Sequence, residues 1–104
     1  MKRDGIIPII LGSDRELSKK LYSLCSAPVF VLDTKFSFFE ILTPYSRCVK
    51  ISSPELFMLY IEDIIKNTDK MPLLAASAKY REFIDENRET LAERCILWHE
   101  DFKF

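Results

Sequence analysis

The sequence predicts an α/β domain of three-layer, Rossmann-like architecture, with a mostly parallel sheet of four to five strands. Three observations carry that prediction. Short, almost continuously apolar runs recur along the chain, as in "IIPIIL", "PVFVLD", "PLLAA" and "CILW". Runs of that length and continuity suit strands buried on both faces. Between them lie stretches with helical apolar spacing, and strands alternating with helices argue for a parallel sheet with right-handed crossovers.

Taken in order, Ile6 to Leu11 is the first strand. Pro8 has no N–H for a ladder, so full pairing is expected to begin near it. Ser13 followed by Glu16 reads as a capping box, and Leu17, Leu21 and Leu24 give the apolar spacing of a helix from about Asp14 to Cys25. Pro28 to Asp33 is the second strand. "TKFSFFEILTPYS" fits either a short helix or an irregular cover over the sheet, ended by Pro44. Arg47 to Ser52 is a weaker third strand. Ser53 and Pro54 open the next helix, with Leu56, Leu59, Tyr60, Ile64 and Ile65 as its apolar stripe and Asn67 as its stop. Pro72 to Ala76 is the fourth strand, and Ser77 caps a helix carrying Tyr80, Phe83 and Ile84. "RETLAER" is a further short helix before the fifth strand, Cys95 to Trp98.

The 104 residues suit one domain, 1–104. At 48% hydrophobic and 30% charged, with only two glycines, the chain can bury a core and is neither low-complexity nor disordered. The net charge of -1, with acids scattered among the bases, offers no basic face for nucleic acid. No apolar run approaches the length of a bilayer crossing, and the N-terminal run is too short and too quickly followed by acids for a signal peptide. The expectation is a cytoplasmic protein with neither a membrane nor a nucleic-acid partner. Cys25, Cys48 and Cys95 are widely spaced, and with one histidine there is no zinc ligand set, so reduced, packed thiols are expected.

Candidate chemistry gathers at the carboxyl ends of the strands, where open parallel sheets bind ligands. Gly12, Ser13, Asp14, Asp33 and Ser77 fall there, with Ser52 and Ser53 at the third strand. Helix N-termini at these points favour an anion, although serine N-caps alone would explain the same residues. A dinucleotide fingerprint needs two more glycines, and a P-loop needs GK[ST]; neither occurs. His99 reads as a packing or surface residue. Glu62-Asp63 and Asp85-Glu86 read as solvated helix faces, with Glu62 and Lys66 spaced for an i,i+4 pair. Phe36, Phe38 and Phe39 read as core or interface.

"PIILGSD" with its helix and "PVFVLD" resembles the start of the pre-ATP-grasp domain of ATP-grasp carboxylate–amine ligases, of the D-aspartate ligase-like and carbamoyl-phosphate-synthase-like kind. "LLAASAKYREFIDENRETLAERCIL" resembles the later part of the same domain, so the similarity runs from Pro8 to Leu97. The resemblance implies a substrate-side domain in an enzyme that activates a carboxylate with ATP to an acyl phosphate, which an amine then attacks. It places Gly12, Ser13 and Asp14 on the cleft and Ser77 at the neighbouring strand end. ATP and magnesium are implied for a full ligase, held by later domains rather than by this chain. The sequence ends at "WHEDFKF", before such domains, so the expectation is a fragment or free-standing relative that is inert alone. Trp98, Phe102 and Phe104 would then lie on a face open to an ATP-grasp domain or a second copy, and a homodimer is expected. A small carboxylate or amino acid is the expected ligand. The competing readings are a non-enzymatic interaction module and, behind it, a receiver-like regulatory domain.

Overall fold

The structure, a computed structural model, describes residues 5–98. Five parallel strands form one sheet in the order β3-β2-β1-β4-β5. They are β1 (Ile6–Leu11), β2 (Val29–Asp33), β3 (Ser46–Lys50), β4 (Met71–Ala76) and β5 (Ile96–Leu97). The helices are α1 (Arg15–Cys25), α2 (Phe38–Ile41), α3 (Phe57–Lys66), α4 (Arg81–Glu86) and α5 (Arg88–Ala92), with 3-10 turns at Pro54–Leu56 and Ala78–Tyr80. The predicted α/β class and parallel sheet are both present.

Side-chain alternation divides the central strands between two cores. Ile9, Leu11, Leu32 and Leu74 face α3, α4 and α5 through Phe57, Ile61, Ile84 and Leu91. Ile6, Ile10, Val29, Val31, Leu73 and Ala75 face α1 through Leu21 and Cys25. This period of two, repeated on three neighbouring strands, is why their sequences read as unbroken apolar runs.

Two prolines sit inside central strands without disrupting them. Gly12 donates to the Leu32 carbonyl, so the even residues of β1 bond toward β2, and that ladder begins only at Ile9↔Phe30. The missing donor of Pro8 therefore falls before the ladder starts. Pro72 follows the same logic on β4. Trp98 donates to Leu74, and the pairing with β5 begins at Leu73↔Ile96. Each proline occupies the one ladder side where no partner yet exists.

Several local expectations change. The first helix is capped by Asp14, whose carboxylate accepts from Leu17 N–H at 3.0 Å, not by Ser13. Ser13 is drawn away because its N–H is taken by Asp33. The ambiguous stretch resolves as α2, with a true capping box between Ser37 and Glu40. In α3 the buried positions are Phe57 and Ile61, while Leu59 is 63% exposed. The Pro54–Leu56 turn is 3-10, so α3 starts later and at a different angular phase than a continuous helix would. Glu62 reaches Arg94 at 3.6 Å rather than Lys66. The third strand runs 46–50 rather than 47–52.

Candidate functional site

Asp33 ends β2 almost fully buried, 5% exposed, at the carboxyl edge of the sheet. One carboxylate oxygen accepts from Ser13 N–H at 2.8 Å. The other accepts from Thr34 N–H at 2.6 Å and from the Tyr80 hydroxyl at 3.1 Å, with the Lys79 ammonium at 4.0 Å. A single anion thus ties the β1–α1 turn to the segment after β4, across the middle of the sheet. Burial pushes the Asp33 carboxyl up, but the Ser13 and Thr34 N–H groups, the Tyr80 hydroxyl and Lys79 outweigh it. The carboxyl rests below its ordinary value.

That shift fixes a sign. A carboxyl with a lower folded than unfolded pKa adds stability above the unfolded value, about 3.9, and loses it as the pH falls through the folded value. The stability difference between wild type and Asp33→Asn, from urea unfolding, should be flat from about pH 8 to about pH 5 and shrink below about pH 4. A difference that grows on acidification would contradict this arrangement.

Gly12 follows β1 with φ of +92°, a region that side chains rarely enter. A Cβ there would collide with Ser77 Oγ and lie 2.6 Å from Tyr80 Cδ2. Tyr80 itself is held edge-on against Phe57, with ring centroids 4.8 Å apart, and Lys79 stands 5.1 Å above its ring. Ser77 is buried, makes no side-chain cap bond, and its hydroxyl has no hydrogen-bond partner among the described residues. Its predicted capping role is therefore not realised. Only the backbone cap survives, with Tyr80 N–H donating to the Ser77 carbonyl.

The structure brings Gly12, Ser13, Asp33 and Ser77 together, but as a packed knot. The space through which a pyrophosphate would approach the Gly12 backbone holds Tyr80 and Ser77 instead. These residues do not fit a nucleotide at the β1–β4 switch point. Among the described residues, no three His, Cys, Asp or Glu side chains converge as metal ligands.

Asp14 belongs to different surroundings. It lines an open groove of about 550 Å³ at the carboxyl ends of β1, β4 and β5. Leu17, Ala76, Ile84, Leu97 and Trp98 supply apolar walls, Lys20, Arg81 and Arg88 positive charge, and Glu16 and Asp85 further negative charge. Arg88 is already engaged by Asp85 at 2.6 Å. Among the described residues, Lys20 and Arg81 are the groove's cations that form no ion pair. A cavity of about 10 Å³ on the other side of α1, between Ser18, Glu40 and Cys48, has room for about one water.

Sequence reading missed the groove cations and Tyr80. A tyrosine three residues after a strand-end serine was the available signal, but helix spacing assigned it to the core. Trp98 packs half-buried against the α1-side core, while Phe102, Phe104 and His99 lie outside the described residues. Among the described residues, no helix is long and apolar enough to cross a membrane. No family model, curated protein or solved structure matches the chain.

Proposed function

We propose that this domain is the substrate-side module of an ATP-dependent carboxylate–amine ligase, holding a small carboxylate or amino acid while nucleotide and magnesium belong to separate ATP-grasp domains. The observation that carries the reading is the groove beside the β1–α1 turn. It lies where parallel sheets bind ligands, and its apolar walls carry both signs of charge, Lys20 and Arg81 together with Asp14 and Glu16. Such a mixed set of charges suits a zwitterion: Lys20 and Arg81 take its carboxylate, and Asp14 and Glu16 take its ammonium. The filled switch point agrees with a nucleotide seated elsewhere. On this reading the Asp33–Tyr80 knot is the rigid backing that holds the groove wall.

The test is thermal unfolding with a panel of amino acids and small carboxylates, and separately with ATP–magnesium. Ligand at ten times its Kd stabilises by about 1.4 kcal/mol, which raises the midpoint by about 5–10 °C in a domain of this size. The expected result is a shift with one class of carboxylate that Lys20→Ala and Arg81→Ala each remove, and none with ATP–magnesium. No shift with any carboxylate would overturn the reading in favour of an interaction module.

A further inference from the structure

The outer edge of β3 and the apolar cap beside it form a second feature, independent of the groove. β3 is an edge strand of the sheet. Val29 donates to the Tyr45 carbonyl and Ile51 to the Asp33 carbonyl. With the parallel register between them, this directs Tyr45, Arg47, Val49 and Ile51 toward β2. The backbone groups of Ser46, Cys48 and Lys50 therefore point outward. Among these, Ser46 N–H is taken by the Thr43 carbonyl. The Cys48 and Lys50 N–H groups have no partner among the described residues.

α2 lies over this same strand, on the face that carries Cys48, whose thiol reaches the Glu40 carbonyl at 3.5 Å. Its apolar side chains are not covered: Phe38 is 70% exposed, Phe39 74%, Ile41 59% and Leu42 62%. At about 150–250 Å² per aromatic side chain, the two rings alone leave about 220–360 Å² open to water. Contiguous exposed patches of that size mark interaction surfaces. Adding Ile41, Leu42 and the strand edge brings the area toward the ~600 Å² per partner of a weak specific interface.

We propose that a second copy of this chain covers this surface, with the two β3 strands pairing antiparallel about a two-fold axis at Cys48. In that register Cys48 meets Cys48, Ser46 meets Lys50 and Arg47 meets Val49. All outward-facing residues oppose one another, as a hydrogen-bonded antiparallel ladder requires. No like charges fall directly opposite, and a net charge of -1 leaves little repulsion between copies. Because α2 lies on one face of β3, the two-fold brings both apolar caps together on that face. The result is a continuous ten-stranded sheet with its most exposed strand edge removed.

Sedimentation velocity over a concentration series tests this. The wild type should dimerise, and the Phe38→Asp/Phe39→Asp double variant should weaken association at least tenfold. Lys50→Pro should do the same, because it removes an outward N–H without touching the β2 ladder. Leu59→Asp, on the opposite layer, should leave association unchanged, and thermal melts establish that each variant is folded. At alkaline pH a short bis-maleimide should join two chains through Cys48 and fail with Cys48→Ser, since Cys25 and Cys95 are buried. A monomer at every concentration overturns the proposal. So does a dimer indifferent to the edge and cap variants, or one that Cys48 cannot cross-link.

Discussion

Gly12→Ala should lower the unfolding free energy by about 4 kcal/mol, the largest effect expected of a single methyl group in this protein. Two costs add. A residue with a Cβ at φ of +92° carries backbone strain of about 1–3 kcal/mol. The new methyl also enters space held by Ser77 Oγ and the Tyr80 ring, 2.6 Å from Cδ2, and overpacking of this kind costs about 1–3 kcal/mol more. Tyr80 cannot yield cheaply, because Phe57 backs its ring and Asp33 holds its hydroxyl. Gly5→Ala separates the two costs. Gly5 has φ of +86°, yet nothing lies within 4 Å of its Cβ position. It should show the strain alone, about 1–3 kcal/mol. Equal losses for the two glycines in urea unfolding would mean that the knot is looser than its geometry indicates.

Asp33→Ala should cost about 3 kcal/mol. The substitution leaves the Ser13 N–H and the Tyr80 hydroxyl facing a buried space with no acceptor. Hydrogen bonds to a charged group contribute about 1.5–3 kcal/mol, and an orphaned buried donor costs about 1–3 kcal/mol. Tyr80→Phe removes one of these bonds and keeps the ring, so about 1.5 kcal/mol is expected. The two changes should be less than additive, because they share one contact. Full additivity in a double-mutant cycle would show that the Tyr80 hydroxyl does not depend on Asp33. Because the knot connects the turns after β1, β2 and β4, amide exchange should speed up together in all three turns of Asp33→Ala.

On the proposed function, ligand binding and stability fall to adjacent but different residues. Gly12, Ser13, Asp33 and Ser77 hold the carboxyl edge of the sheet rigid. Asp14, Lys20 and Arg81 present charge to the groove next to it. Substitutions in the first set should lower stability and weaken binding only through it. Substitutions of Lys20 and Arg81 should change ligand response with little change in the unliganded midpoint, whereas Asp14→Ala should also lower it, because Asp14 caps α1.

The class of fold was determined by the sequence alone, because burial on two faces demands apolar residues at every position of a strand. Runs as short as "PLLAA", repeated between stretches of helical spacing, suit strands of a covered parallel sheet better than buried helices, which run longer. The helix stop at Asn67 was readable locally, since Asn67 closes α3 with its own amide, whereas the left-handed turn at Ser26, φ 51°, that ends α1 is visible only in the structure. The α2 capping box was present in "SFFE", though its few residues were too short for periodicity to resolve. Tertiary structure alone decided the rest. Asp14 rather than Ser13 caps α1 because Asp33, 20 residues away, claims the Ser13 N–H. Phe57 rather than Leu59 is buried because the 3-10 turn before α3 resets the angular phase. The groove exists because strand order places β4 beside β1 and β5 beside β4, so that residues of α1 and α4, 61 positions apart at Lys20 and Arg81, line one opening at the carboxyl edge of the sheet. Local pattern specifies which faces are apolar, whereas which distant donor meets which acceptor depends on how the layers are stacked.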